Sequence, residues 1–579
     1  MAEPVGYSCV RHKMGFGGVS HFCTRKLSTM NSMKLILALA FLTALTCSVL
    51  AQDTIPTIKS GSSKASIQDG DVLKKDGWNL APEAKPDVYE TTVKKGKTKR
   101  VEFITDMDKI GFDVEAGKTY DFIIQKGDAK CYTQIKASEL KFWNDADFWE
   151  SPSIKTPYKE NISNEEKIAG LSKFWSEAKY NFINFNLVPD LDWDKTYLEF
   201  IPKVLATRST LEYYRVLQEF CGKLKDSHTN VYFPKELQTE VYAGPAITTR
   251  LIEGRVVIVG LLDPKLKGDG IEVGQEITAI DGIPARTYAD ENVAPYVSEN
   301  TPQSQETAVY QYFLLRGSVS KPVELTLKDA KGNILKRTLP RLSRQDRLKL
   351  PNAAKLYELK MLPNNIALVT VNTMSDAPGE EKFFADNFAA MSKADGIILD
   401  LRENGGGNSS VGYNILSYFV DKPFKGSSWY TREYHPTYRP WGQPDKTFGE
   451  EAAEISMDVI KQMRNGAEPF LGPLIVLSSP RTFSAAEDFL VAYKPIKRGL
   501  IVGEPSGGST GQPLQISLPG GGSARICSKH DTFADGSEFV GIGVLPDILV
   551  KPKVTDFTEG RDAILEKALK ELERSKTAH

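Results

Sequence analysis

The chain has 579 residues, a formal net charge of −1, 41% hydrophobic residues and 25% charged residues. This length exceeds the ~250–300 residues at which a single hydrophobic core stops growing, so several domains are expected. The composition is typical of a globular protein and excludes a largely disordered chain. Because the charge is close to neutral and basic residues form no long run, nucleic acid is not an expected partner.

The first 51 residues are interpreted as an upstream extension and a signal peptide. Met33 and Lys34 precede an apolar run, 35–51, that ends in the small residue Ala51. This run is shorter than the ~20 residues of a spanning helix, so no stable membrane span is expected after cleavage. We expect an exported protein, either periplasmic or extracellular. A lipid anchor on Cys47 is the less favoured alternative.

The next segments differ in hydrophobic period. Residues 52–84 are polar and rich in Ser, Gly, Lys and Asp, which predicts a flexible leader. Residues 85–140 alternate apolar and polar side chains between turn signals, which predicts a β-sandwich domain. In residues 160–238 the apolar residues recur every three or four positions, which predicts a helical segment. Ser163 and Glu166 predict a capping box at its first helix.

Two further domains follow. Residues 239–345 are rich in strands, and the stretch 273–284 is a turn leading into a strand that ends in Asp-Gly-Ile-Pro. This stretch resembles a PDZ domain, which would bind extended peptides by strand addition; an unrelated small β-module is the alternative. Residues 350–576 alternate continuous apolar runs with helical patterns. Such runs are typical of strands covered on both faces, so an α/β catalytic domain is expected.

One serine in this last domain stands where a nucleophile could be activated. An apolar strand pattern ends at Leu477, a turn follows, and helix-forming residues begin at Ala485, directly after Ser484. Free backbone N–H groups at a helix N-terminus favour an alkoxide or an oxyanion. The alternative is an ordinary N-cap serine, and residue context alone favours it.

A glycine-rich loop in the same domain could hold an oxyanion. It follows an apolar strand pattern at Asp400 and contains three consecutive glycines, at 405–407. Glycines allow backbone N–H groups to approach a substrate closely. The alternative, a phosphate-binding loop, lacks the required Gly-Lys-Ser/Thr. The predicted oxyanion donors are the N–H groups of Ala485 and of Gly405 or Gly406.

Four motifs together resemble the tail-specific (C-terminal-processing) peptidase family. They are Asp-x-Arg-x-Asn-x-Gly-Gly from position 400, Ser-Ala-x-Glu from 484, Val-Gly-Glu from 502 and Gly-x-x-Pro-Asp from 543. The resemblance implies a serine peptidase with Ser484 as nucleophile and with protein or peptide substrates. Neither a cofactor nor a metal is expected, and the oligomeric state is left open.

The family has two catalytic branches, and the first uses a lysine as base. Its motif is Gly-Glu-x-x-x-Gly-Lys-Gly, but in this chain the lysine position holds Ser509. Lys494 and Lys497 are nearby in sequence, although they fall in the preceding helix and turn. A Ser-Lys mechanism is therefore not expected.

The second, tricorn-like branch uses a histidine from the helical segment. The sequence Asp-Ser-His-Thr at 226–229 matches that branch, which implies His228 as the general base and Ser227 as the residue that orients it. His530 is the alternative base. His435 lies in a loop rich in Tyr and Pro, where a surface position is expected.

The resemblance also implies a carboxylate that completes the relay. Glu538 is the candidate, because it lies shortly before the Gly-x-x-Pro-Asp motif. Glu487 is expected to support the helix rather than to transfer protons. The alternative function is a non-catalytic protein of the same fold that binds peptides or hydrophobic ligands.

Overall fold

The computed structural model describes seven short N-terminal strands together with residues 149–577, except residue 445. The chain divides into two compact units, Met1–Trp149 and Glu150–His579. The predicted signal peptide and Cys47 lie outside the described residues. Among the described residues, no helix is both long and apolar enough to cross a membrane.

The first unit contains two antiparallel sheets. One has the order β2-β1-β6-β7 and the other the order β3-β4-β5. The strands are β1 (Thr57–Ser60), β2 (Val72–Lys74), β3 (Asp87–Val88), β4 (Thr98–Thr105), β5 (Asp108–Glu115), β6 (Thr119–Lys126) and β7 (Ala129–Lys136). The prediction of a flexible leader at 52–84 was therefore wrong in part: two of its segments are strands, and β1 pairs with β6. The sandwich remains a prediction.

The second unit begins with the predicted helical segment. Its elements are α1 (Asn164–Asn181), α2 (Trp193–Ala206), α3 (Thr210–Gly222), β8 (Asn230–Tyr232) and α4 (Gln238–Val241). The capping box at α1 is present, with Ser163 N–H donating to Glu166 Oε2 at 2.8 Å and Glu166 N–H to Ser163 Oγ at 3.3 Å. Buried aromatic rings hold the three long helices together, and Trp193 stacks on Phe220 at 4.2 Å.

An antiparallel sheet follows, in the segment predicted to be PDZ-like. It has the order β14-β13-β11-β10-β9, and β12 pairs with β11. The elements are β9 (Ile247–Ile252), β10 (Arg255–Leu261), β11 (Glu276–Ile280), β12 (Ile283–Pro284), α5 (Ala285–Asn292), α6 (Pro302–Thr307), β13 (Val323–Lys328), β14 (Ile334–Leu339) and α7 (Arg344–Leu348). Asp281 and Gly282 both have positive φ, which makes the tight turn between β11 and β12.

The remaining residues form a three-layer α/β domain. Its central sheet has the order β15-β16-β17-β22-β23-β27, in which only β15 is antiparallel to its neighbour. These strands are β15 (Tyr357–Leu362), β16 (Ile366–Val371), β17 (Gly396–Asp400), β22 (Leu474–Ser478), β23 (Leu500–Gly503) and β27 (Ile548–Leu549). The main helices are α8 (Ala377–Met391), α9 (Ser409–Ser417), α11 (Ala485–Tyr493) and α13 (Ala563–Thr577).

Both faces of this sheet are buried, as the continuous apolar runs predicted. Along β17, Ile397 and Leu399 pack into the cluster that includes α8, α9 and α11, whereas Ile398 packs with Ile564 and Leu572 of α13. The smaller elements of the domain are β18 (Phe424–Lys425), β19 (Ser428–Glu433), β20 (Lys446–Glu450), β21 (Glu454–Ile455), α10 (Met457–Met463), β24 (Pro513–Ser517), β25 (Ser523–Cys527), β26 (His530–Thr532) and α12 (Val554–Thr558).

A small sheet joins the helical segment to the α/β domain. Strand β8 pairs with β25, with Asn230 opposite Arg525 and Val231 opposite Ala524. Apolar side chains of β25 enter the same core as the helices, so the two segments share one hydrophobic cluster. This pairing brings the residues just before β8, including His228, to the α/β domain.

Candidate active site

Ser484 lies on a strained turn between β22 and α11. Its backbone has φ 56° and ψ −126°, a conformation that a residue with a Cβ adopts at a cost of ~1–3 kcal/mol. The helix begins at the next residue, Ala485. Strand, sharp turn, serine and helix together form a nucleophile elbow. The Ser484 hydroxyl faces the imidazole of His228, with 3.1 Å between Oγ and Nε2. Ser484 is the N-cap residue of α11, as the alternative interpretation proposed, but its hydroxyl also contacts the imidazole.

His228 is held in place by a turn built around Asp226. Asp226 Oδ1 accepts from the His228 N–H at 3.0 Å and from Thr229 Oγ1 at 2.8 Å. The imidazole is buried and stacks on the ring of Phe483, with 4.8 Å between the centroids. The ring contact and the fixed backbone restrict the imidazole to one orientation, which is the requirement for a proton acceptor beside a nucleophile.

The second nitrogen of this imidazole contacts Ser509. The distance from His228 Nδ1 to Ser509 Oγ is 2.8 Å. When Nδ1 carries the proton and donates it to Ser509 Oγ, the lone pair of Nε2 is free to accept the proton of Ser484. Ser509 also reaches the nucleophile through its backbone, because the Ser484 N–H donates to the Ser509 carbonyl at 3.2 Å.

The surroundings of His228 favour its neutral form. Burial, followed by the positive charges of Arg525 and Lys529, lowers the pKa of His228 to about 3. Each of these three influences penalises the imidazolium. A neutral imidazole is the form that can accept a proton.

The glycine-rich loop approaches Ser484 closely. A Cβ added to Gly406 would lie 2.7 Å from Ser484 Cβ and 2.9 Å from the Ala485 nitrogen, so only glycine fits there. The Gly406 N–H itself donates to Asn404 Oδ1 at 2.9 Å. Of the two glycines predicted as oxyanion donors, Gly406 is therefore engaged elsewhere, while a Cβ on Gly405 would meet open space. The N–H groups of Gly405 and Ala485 therefore remain the predicted oxyanion donors.

Glu487 is buried directly behind the nucleophile. Its carboxyl accepts from the backbone N–H groups of Ser484, Gly508 and Ser509 at 3.2, 2.7 and 2.9 Å, and from Ser506 Oγ at 2.6 Å. Burial raises the pKa of Glu487 to about 8, against the opposing effect of these hydrogen bonds. Because Glu487 touches neither the imidazole nor the Ser484 hydroxyl in these contacts, it positions the elbow and the loop that carries Ser509.

Two of the predicted relay residues contact other partners. Ser227 Oγ donates to Asn300 Oδ1 at 2.9 Å, so the structure does not place it against the His228 ring. Glu538 contacts a different histidine, with 2.7 Å between Glu538 Oε2 and His530 Nε2. The expectation that Glu538 orients His228 was therefore wrong for this arrangement, because the Nδ1 position of His228 is taken by Ser509.

The other candidate bases lie in different environments. His530 Nδ1 contacts Asn184 Oδ1 at 2.6 Å, so neither of its nitrogens faces Ser484. Lys494 donates to the Leu545 carbonyl at 2.7 Å and pairs with Asp547. His435 is half-exposed and pairs with Glu433, as a surface position predicts.

Sequence reasoning missed Ser509 as a contact of the imidazole. In the sequence this residue drew attention only because it replaces a lysine. The replacement of that lysine by Ser509 could have revealed the contact. In the Ser-Lys branch the side chain at this position points toward the nucleophile, so a serine there should also lie close to a histidine that contacts the nucleophile. The missed residue therefore coincides with the position that distinguishes the two branches.

Comparisons with known proteins identify a family domain within this chain. Residues 365–550 match the model of peptidase family S41; this range includes Ser484 and Ser509 but not His228. The chain is 26% identical over 286 residues to the chloroplastic C-terminal processing peptidase of Tetradesmus obliquus, an alignment that covers 49% of this chain and 54% of the relative. The chain thus spans about half the length of that relative.

A second relative is aligned over a larger share. The carboxyl-terminal-processing protease of a Picosynechococcus species is 24% identical over 369 residues, covering 62% of this chain and 77% of the relative. Among solved structures, mature CPAF in complex with lactacystin superposes with a TM-score of 0.53 and 15% identity, covering 71% of this chain and 98% of CPAF. This structural likeness concerns the fold. Residues 365–550 of the chain therefore form a peptidase family S41 domain.

Proposed function

We propose that this protein hydrolyses peptide bonds of proteins or peptides by a Ser-His mechanism. Ser484 is the nucleophile, His228 is the general base and Ser509 holds the imidazole in the productive tautomer. The N–H groups of Gly405 and Ala485 form the oxyanion hole. The relatives described above, which are named for C-terminal processing, make cleavage near C-termini the first activity to examine.

One observation carries this proposal. The Ser484 hydroxyl and the His228 imidazole come from positions 256 residues apart, yet they lie 3.1 Å from each other on a strained elbow. A binding scaffold has no need for backbone strain at a serine or for a desolvated imidazole beside it. The alternative function as a non-catalytic binding protein leaves both features without a purpose.

The proposed reaction has two halves. His228 Nε2 takes the proton of Ser484 as Oγ attacks the carbonyl carbon, and the resulting oxyanion accepts from Gly405 and Ala485. The protonated imidazole then gives this proton to the leaving amine, and the C–N bond breaks to leave an acyl-enzyme. Water, deprotonated by the same nitrogen, hydrolyses the ester and regenerates Ser484.

The remaining expectations belong to the same proposal. We propose that residues 239–345 act as a PDZ-like module that captures extended segments of the substrate by strand addition. We also propose that the protein is exported after cleavage near Gln52. N-terminal sequencing of material from the culture medium or the periplasm tests export; an intact Met33 in a cytosolic fraction would contradict it.

The activity is tested with purified wild-type protein and the Ser484→Ala variant on an unfolded protein substrate. Hydrolysis by the wild type and its loss in the variant, with nearly unchanged Tm, is the expected result. Removal of one hydroxyl from a solvent-accessible elbow leaves the core intact, so folding should not be affected. Equal hydrolysis by both proteins would refute the assignment of Ser484.

A further inference from the structure

A cavity of about 450 Å³ opens beside the proposed catalytic residues. Gly405 and Phe483 line it from the α/β domain, and Ser227 lines it from the helical segment. Gly405 is a proposed oxyanion donor, while Phe483 and Ser227 directly precede the nucleophile and the base. A peptide whose scissile carbonyl lies at Gly405 would therefore direct a neighbouring side chain into this cavity.

Most of the cavity wall is apolar or aromatic. Val231, Tyr242, Tyr296, Val297, Phe313 and Phe483 all contribute to it. Such a wall stabilises a large apolar side chain by removing it from water, at roughly 25 cal/mol for each Å² that is buried. The wall by itself does not distinguish tyrosine from phenylalanine or leucine.

A carboxyl group interrupts this wall. Glu299 lines the cavity, as do Ser227 and Ser304. Burial raises the pKa of Glu299 to about 7. A partly buried carboxyl in an apolar wall loses part of its hydration, so an incoming hydrogen-bond donor would be favoured.

We infer that Glu299 is a specificity-determining residue, which selects a tyrosine side chain next to the scissile bond by accepting a hydrogen bond from its phenol. This inference rests on the proposed peptidase function. It adds a preference for tyrosine over phenylalanine, two side chains that differ by one hydroxyl group.

Charges near the cavity decide between neutral and charged side chains. The Arg525 guanidinium also lines the cavity; it donates to Asn230 Oδ1 at 2.8 Å and to the Ser227 carbonyl at 3.2 Å. Its positive charge disfavours lysine, and the carboxyl of Glu299 disfavours aspartate and glutamate. An apolar side chain that ends in a neutral hydrogen-bond donor avoids repulsion from both charged groups. Tyrosine has such a donor, and its ring can pack against the aromatic residues of the wall.

The test uses matched peptides that differ only in one residue, which is Tyr, Phe, Leu or Lys, with cleavage sites mapped by mass spectrometry. We expect wild type to prefer Tyr over Phe by roughly 10–100-fold in kcat/KM, the range for one hydrogen bond to a carboxyl group. In Glu299→Met, which removes the acceptor and keeps the length, the preference should fall to about 1, while Phe peptides are still cleaved.

Two further variants separate specificity from damage to the fold. Glu299→Gln retains one acceptor oxygen and should give an intermediate preference. Glu306→Gln, in the same segment but outside the cavity lining, should keep the wild-type preference. Equal cleavage of Tyr and Phe peptides by wild type, a preference for Lys, or an unchanged preference in Glu299→Met would each overturn the inference. If wild type hydrolyses neither the peptides nor unfolded protein, the proposed function itself fails.

Discussion

Two buried histidines in this molecule have opposite surroundings. His228 has a hydroxyl at each nitrogen, Ser484 Oγ at 3.1 Å and Ser509 Oγ at 2.8 Å, and among the described residues no carboxylate is hydrogen-bonded to either nitrogen. His530 has the carboxylate of Glu538 at 2.7 Å and the amide of Asn184 at 2.6 Å, with no serine at either. Each therefore has one part of the usual Ser-His-acid arrangement.

In this comparison the contact with the nucleophile, and not the contact with a carboxylate, identifies the histidine that could act as the base. His530 has the partner that a relay predicts, but both its nitrogens are occupied and neither is left for a serine. The two clusters are also connected, because Asn184 donates to Asp226 at 2.8 Å and Asp226 holds the His228 backbone. We interpret the His530 cluster as a support for the turn that carries His228.

The largest expected effect distinguishes the two histidines directly. His228→Ala should lower kcat by roughly 10³–10⁶-fold, because it removes the proton acceptor of Ser484. His530→Ala should retain most of kcat and should instead lower Tm, because it removes a buried support. Steady-state kinetics and thermal melts of both variants test this. A greater loss of kcat in His530→Ala would reverse the assignment.

A second prediction concerns Ser509, whose hydroxyl contacts His228 Nδ1 where a carboxylate would be expected in a Ser-His-acid arrangement. Ser509→Ala removes the acceptor for His228 Nδ1–H, so the productive tautomer loses its advantage. We expect kcat to fall by roughly 10–100-fold, or about 1.4–2.7 kcal/mol of transition-state stabilisation. Ser506→Ala, which alters a Glu487 contact in the same loop but not the imidazole, is the matched control for loop damage. An unchanged kcat in Ser509→Ala would show that Ser509 does not orient the base.

The pH dependence sharpens the same comparison. Burial and the nearby positive charges lower the pKa of His228 to about 3, and His228 acts only when it is unprotonated. Activity should therefore be lost only as pH falls well below the ordinary imidazole value of ~6.5. The profile of kcat/KM between acid and neutral pH, measured over the range in which the fold is stable, tests this. An acid limb at ~6.5 would indicate an imidazole that is not desolvated.

The smallest effect is expected at Glu538. Its side chain is 49% exposed, so its contact with His530 contributes at most about 1 kcal/mol to the free energy of unfolding. Glu538→Gln should change kcat by less than about twofold, in contrast to Ser509→Ala. Measuring kcat of both variants under the same conditions shows whether Ser509 or Glu538 matters more for catalysis. A loss in Glu538→Gln that exceeds the loss in Ser509→Ala would restore the predicted relay.

The sequence predicted the elements better than the contacts between them. The continuous apolar runs, the helical period and the Ser163–Glu166 capping box are local patterns, and the structure confirms them. The position of Ser484 before α11 was also a local inference. Motif resemblance, rather than periodicity, connected Ser484 to His228, since no local pattern relates residues 256 positions apart.

The errors share a physical reason. Ser227 and Glu538 were assigned from their distance along the chain to a motif, but side-chain direction depends on backbone geometry that the sequence does not encode locally. The turn at Asp226 directs Ser227 toward Asn300, and the loop that contains Gly508 brings Ser509 to the imidazole. The strands at 57–60 and 72–74 were missed because they are short and lie in a largely polar segment, and because β1 also pairs with the distant residues 122–125 of β6.

The most direct test of the central claim is the rate at which a fluorophosphonate probe labels Ser484. It reports the nucleophilicity of the hydroxyl without any assumption about the substrate. We predict that wild type and His530→Ala are labelled at similar rates, that His228→Ala is labelled at least ~100-fold more slowly, and that peptide mapping locates the label on Ser484. Labelling of His228→Ala at the wild-type rate, or a label on another residue, would contradict the account.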